Sequence, residues 1–162
     1  MILCSTQVIY SQNDTLSDSA TYIVSSRYDG ILFGANFTYD DEYLGQVKVV
    51  ENVIEYRCKK QNWTPWTPTL ANIEELEKRL PKAIRKNKLK EYTYTRQYFG
   101  VKDYRGNKYI YVNGFGSHKK RRLRSWKVRL VTVRDGGDCY FNCYYLIAEK
   151  KISEFQVQGM FR

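Results

Sequence analysis

Few side chains in this 162-residue chain have the type and spacing for covalent or metal chemistry. The one histidine, His118, lies in a basic stretch, residues 116–124, and no carboxylate is near in sequence to orient its imidazole as a general base. It reads as a solvated loop histidine. There are four cysteines: Cys4, Cys58, Cys139 and Cys143. On a strand, Cys139 and Cys143 share one face about 13 Å apart, well beyond the roughly 4.4–6.8 Å Cα separation of a disulfide. Cys58 is then the partner for one of them in an oxidising compartment, or all three are small apolar residues of the core. Zinc is disfavoured, because a C-x3-C spacing on a strand splays the sulfurs and only one imidazole is present. Asp135 and Asp138 flank Gly136 and Gly137, but a tight turn explains all four residues, and the stretch is too short for an oxygen cage around calcium. The chain has no phosphate loop, nucleophile elbow or dinucleotide fingerprint. The expectation is a noncatalytic protein with no cofactor and no metal.

Charge is the stronger signal. The net charge is +10, and it is unevenly placed: residues 1–75 hold 5 basic and 10 acidic side chains, whereas residues 76–162 hold 22 and 7. The cations peak at Lys82, Arg85, Lys86 and Lys88, and again at Lys119, Lys120, Arg121, Arg122 and Arg124, with Arg96, Lys102, Arg105, Lys127 and Arg129 between. Such a surface attracts phosphate-rich or carboxylate-rich polymers with a strong salt dependence. Tyr92, Tyr94, Tyr104 and Tyr109 read as exposed tyrosines beside it, able to stack on bases or sugars. The partners expected are an anionic polymer or envelope surface, or a protein. Nucleic acid is not favoured, because no RNA-binding or DNA-binding motif accompanies the charge.

These side chains need a scaffold, and the composition points to a sheet. Fifteen tyrosines suit half-buried strands, where the ring packs and the hydroxyl stays wet. Hairpins are expected from residues 21–25 with 31–38, and from 92–99 with 109–115 around a turn at 103–106. An acidic loop at 39–43 precedes a longer strand over 46–57. The last third reads as a three-stranded meander, 126–133, 139–147 and 152–158, because Trp126, Val128 and Leu130 alternate with Lys127 and Arg129. One helix is expected: Leu70, Ile73, Leu76, Leu80 and Ile84 form a single apolar stripe, Thr67 or Thr69 can cap it, and Pro81 should bend or interrupt it. A helix packed by one stripe on a twisted antiparallel sheet is a two-layer α+β fold, cystatin-like by analogy.

Residues 1–12 form a short apolar run ahead of a polar stretch at 13–19. The run resembles the back half of a secretory signal peptide, with cleavage near Ser11 or Gln12, which leaves residues 20–162 as a single domain. An ordinary first strand is the alternative reading, and no stretch is long enough to span a membrane.

The order Trp66, Thr67, Pro68, Thr69, then a helix, then residues 96–100 (RQYFG), 111–115 (YVNGF), Trp126, residues 135–137 (DGG) and 157–159 (VQG) resembles a group of small exported bacterial proteins of unknown function. The resemblance covers roughly residues 63–162. It implies export and one small domain, and it supplies no catalytic residue. The cystatin inhibitor signature is not met, so protease inhibition is not implied. The reading is a noncatalytic, exported binding domain, periplasmic or secreted, that uses a basic face. Two alternatives stay open: a cytosolic nucleic-acid-binding protein, if Met1 is the true start, and an enzyme of unrecognised type.

Overall fold

The structure, a computed structural model, describes residues 7–9, 18–41, 45–50, 59–89, 94–119, 125–133 and 136–157. Its centre is a mixed sheet of seven strands in the order β1 (Gln7–Ile9), β2 (Ala20–Val24), β3 (Asp29–Phe33), β7 (Tyr94–Lys102), β8 (Lys108–Gly116), β9 (Tyr140–Leu146) and β10 (Lys151–Val157). A short further strand, β6 (Thr64–Trp66), pairs with the far end of β7. Two more, β4 (Thr38–Asp41) and β5 (Gly45–Lys48), make a separate two-stranded ribbon.

The helix forms as its stripe demands. Thr69 caps it in a reciprocal box: its Oγ1 accepts from the Asn72 backbone N–H, and Asn72 Oδ1 accepts from the Thr69 backbone N–H. Helix α1 (Leu70–Glu77) gives way to a turn at 78–79 and resumes as α2 (Leu80–Lys86), with Pro81 in its first turn, where a missing N–H costs nothing. Ile73, Leu76, Leu80 and Ile84 are buried against the sheet. The crossover through this helix returns the chain to its starting end, so β7 enters parallel to β3, Asp29 beside Thr95. The sheet is therefore mostly antiparallel rather than wholly so.

Alternation along the central strands sends side chains to two opposed cores. Tyr94, Tyr98, Ile110, Val112, Phe141, Cys143 and Tyr145 pack under the helix. Phe99, Val101, Tyr111, Phe115, Tyr140 and Tyr144 form the second core, with Val49, Val50, Trp126 and Leu130. Both faces are covered, where the sequence suggested two layers and one buried face.

The expected meander is corrected at its first member. Residues 125–128 form a turn and 130–133 have no regular structure. Trp126 and Leu130 are buried while Val128 is 55% exposed, so the inward spacing is four rather than two. The segment lies across the second face, held by side chains of the sheet. Gln97 Nε2 donates to the Trp126 and Arg129 carbonyls (2.6 and 2.8 Å), its Oε1 accepts from the Val131 N–H (2.8 Å), and Asn113 Nδ2 donates to the Val131 carbonyl (2.8 Å). These bonds supply what a neighbouring strand would have supplied. With no strand at 126–133 there is no hairpin through the diglycine, and Gly137 (φ +56°) instead opens a 3-10 turn, Gly137–Cys139.

Two smaller expectations also change. The acidic stretch at 39–41 is strand β4, and the strand expected over 46–57 ends at Lys48, with Val49 and Val50 helical. Residues 51–58 lie outside the described residues, as does most of the apolar start. Of that start, Gln7–Ile9 pairs antiparallel with β2, as an ordinary first strand would.

Candidate functional site

The cations of the helix end lead toward the end of the sheet at which Lys119, beside His118, follows β8. The bent helix, about 25 Å long at 1.5 Å per residue, starts at the far end, where Glu75 lies 3.8 Å from Lys150. It ends at Lys86, and the chain reaches Leu89 five residues before Tyr94, so within about 18 Å of it by chain length. Tyr94 pairs with Gly116, and the 3-10 turn Ser117–Lys119 follows directly. Lys82, Arg85, Lys86 and Lys88 are exposed on this approach, and Lys119 is half-exposed in the turn. On the opposite face Lys127 and Arg129 are exposed in the segment held by Gln97, three residues along β7 from Tyr94. Lys127 Nζ caps the Tyr22 ring at 4.3 Å. Lys120, Arg121, Arg122 and Arg124 lie outside the described residues.

The end is not uniformly cationic. Asp29 accepts from Tyr22 Oη (3.3 Å) and Thr95 Oγ1 (3.2 Å), and Thr95 also meets Ser117 Oγ at 3.1 Å. Partial burial and the Asp29 charge raise the Tyr22 phenol.

Several residues expected on this surface are elsewhere. Arg96 is buried under the helix, its Nε 3.1 Å from Glu77 Oε1. That N–H is not aligned on the carboxylate, so the contact is Coulombic. Arg96 also donates to the Tyr94 carbonyl and lies over the Tyr28 ring. Tyr98 Oη donates to Glu77 Oε1 at 2.8 Å. Burial raises the Glu77 carboxyl, against the Arg96 charge and the Tyr98 hydrogen bond, which lower it. Tyr94 is buried too, donating to the Asp138 carbonyl at 2.7 Å. Tyr109 is half-buried and stacked on Trp63. Tyr104 is 66% exposed, but it sits in the turn at the opposite end of β7, beside Arg105. Tyr92 lies outside the described residues. No tyrosine among the described residues therefore stands exposed beside the basic end.

Sequence reasoning missed a contact at this end. Cys139 Sγ lies 4.0 Å from His118 Nε2 and 3.8 Å from Asp138 Oδ1. The antiparallel register of β8 and β9 carries Gly116 and Cys139 to the same row, one residue beyond the Phe115–Tyr140 pair. No sequence spacing announces it. Cys139 and Cys143 are both free thiols, and Cys58 lies outside the described residues. Among the described residues no cluster of three or more His, Cys, Asp or Glu side chains could hold a metal ion, and no helix is long and apolar enough to cross a membrane.

No protein-family model matches the chain, and neither a curated protein nor a solved structure matches it.

Proposed function

We propose that the chain is a noncatalytic, exported binding domain that uses the basic end of its sheet to hold an anionic polymer or envelope surface. The observation that carries this reading is the exposure of Lys82, Arg85, Lys86 and Lys88 on the helix end that leads back to Tyr94, beside which Lys119 follows β8, with Lys127 and Arg129 exposed nearer the middle of the opposite face. Cations gathered on one end add their fields and release counterions together when a polyanion docks. A nucleic acid is the weaker partner, because among the described residues the tyrosines that would stack its bases are buried or at the other end. Export rests on the apolar run at 1–12 and on the resemblance to small exported bacterial proteins. The cystatin-like likeness, a helix laid on a largely antiparallel sheet, remains an analogy and lends no activity.

The test is retention on heparin and on vesicles rich in anionic lipid. Replacing Lys119, Lys120, Arg121, Arg122 and Arg124 by Gln should lower the eluting salt concentration and flatten the log–log salt dependence. Each cation that no longer neutralises a phosphate lowers that slope by about 0.9 on duplex DNA, and other dense polyanions should behave comparably. Stability should barely move, since surface changes are usually within about ±0.5 kcal/mol each. Elution of the variant at the wild-type salt concentration would sink the proposal.

A further inference from the structure

We infer that Cys139 and His118 form a reactive-thiol site that exchanges with small disulfides. Cys139 is half-buried at the entry to β9, and the exposed His118 ring reaches it from the turn after β8. The ring is seated over Gly116: a Cβ at that position would lie 2.6 Å from His118 Cε1, so only glycine lets the imidazole rest there. The thiol hydrogen has two acceptors in reach, the Asp138 carboxylate and the imidazole. Near neutral pH only an imidazole is basic enough to carry the proton away as the sulfur attacks.

The exchange balances as follows. The proton passes from Cys139 Sγ to His118 Nε2, and the thiolate attacks one sulfur of a small disulfide. A bond forms between Sγ and that sulfur while the reagent's S–S bond breaks. The departing thiolate takes the proton back from His118 and leaves as a thiol. Cys139 is oxidised to a mixed disulfide, and the reagent is reduced.

Cys143, four residues on, is an internal contrast. It is fully buried under the helix, and burial pushes its thiol well up, with the Glu77 charge adding and Arg96 opposing. A buried, neutral thiol neither meets the reagent nor attacks it.

The experiment uses the full chain and 2-hydroxyethyl disulfide, an uncharged probe, so that steering by the basic end plays no part and failure here leaves the polyanion reading untouched. Adducts are located by peptide mass mapping. At pH 7 Cys139 should be modified and Cys143 should not. His118→Gln should slow modification of Cys139 about tenfold or more, the loss expected when a positioned base is removed, and added imidazole should restore part of the rate. Gly116→Ala, which displaces the ring and keeps the imidazole, should also slow it. Modification of Cys139 at the wild-type rate in His118→Gln, or no faster than Cys143 in the wild type, would overturn the inference.

Discussion

The two faces of the central strands are closed by different means. Under the helix, an apolar stripe from one regular element meets Tyr98, Ile110, Val112, Phe141 and Cys143. A charged cluster, Glu77 with Arg96 and Tyr98, sits inside that core. On the other face, among the described residues, the backbone bonded to the side chains of Gln97 and Asn113 belongs to no regular element. There an irregular segment is held to the sheet by the two amide side chains, and Trp126 and Leu130 fill the space around them. A helix satisfies its own backbone and needs only apolar contact to dock. An irregular segment arrives with unpaired backbone groups, so the face it covers must carry polar side chains to receive them.

That difference predicts where each face fails. Arg96→Met removes the partner of a buried carboxylate and should cost about 3–5 kcal/mol at neutral pH. The pH dependence fixes the cause. Glu77, raised by burial, contributes stability that is fully present below its unfolded pKa and is lost as pH rises through the folded value. Without Arg96 the carboxyl rises further, so the penalty should shrink as the solution is acidified toward the ordinary carboxylate range, where the buried group is neutral. Urea unfolding of both proteins across that range measures it. A difference that stays flat with pH would mean that the ion pair is not what Arg96 contributes.

On the other face, Gln97→Leu leaves the Trp126 and Arg129 carbonyls and the Val131 N–H without their partner, at about 1–3 kcal/mol for buried groups of this kind. The loss should be local: the Val131 amide should exchange with solvent far faster, while amides paired between β7 and β8 keep their protection. If Val131 keeps its protection, the amide side chain is not what holds the segment down.

The same contrast decides what can be read from the residues. The helix is legible down to its cap and its break, because the stripe, Thr69 and Pro81 are all local signals. The hairpin of β7 and β8 is legible for the same reason, since Asp103 accepts from the Arg105 and Asn107 amides and closes the turn within five residues. The stretch at 126–133 misleads because Trp126 and Leu130 fit a period of two as well as a spacing of four, and the residues that decide between them lie far upstream, Gln97 being 29 positions from Trp126. Arg96 reads as a surface cation for a like reason: its counter-charge, Glu77, is on another element. The helix cations of the basic end are readable as exposed positions between stripe residues. The Cys139–His118 contact is not, since it depends on β8 pairing with β9 across the 21 positions that separate the two residues.

If the helix is locally encoded, its smallest device should behave as it does in an isolated helix. Thr69→Ala removes the side-chain acceptor that holds the Asn72 N–H, and breaks the bond from Thr69 Oγ1 to Asn72 Oδ1, while leaving the stripe and the sheet untouched. The cost should be about 1 kcal/mol, the usual value for losing an N-cap threonine. Thr69→Ser, which keeps the hydroxyl, should recover most of it. Denaturant midpoints at constant slope measure both. A loss of several kcal/mol in Thr69→Ala would mean that the cap also fixes how the segment from Trp66 enters the helix. Trp66 is anchored independently, through Nε1 to the Val101 carbonyl at 2.9 Å and through its strand pairing with Gly100. A methyl on Gly100 would collide with the Trp66 carbonyl, so that pairing is as close as two backbones allow. With the entry fixed there, Thr69 has only the first turn of α1 to stabilise, and the effect should stay near the small value.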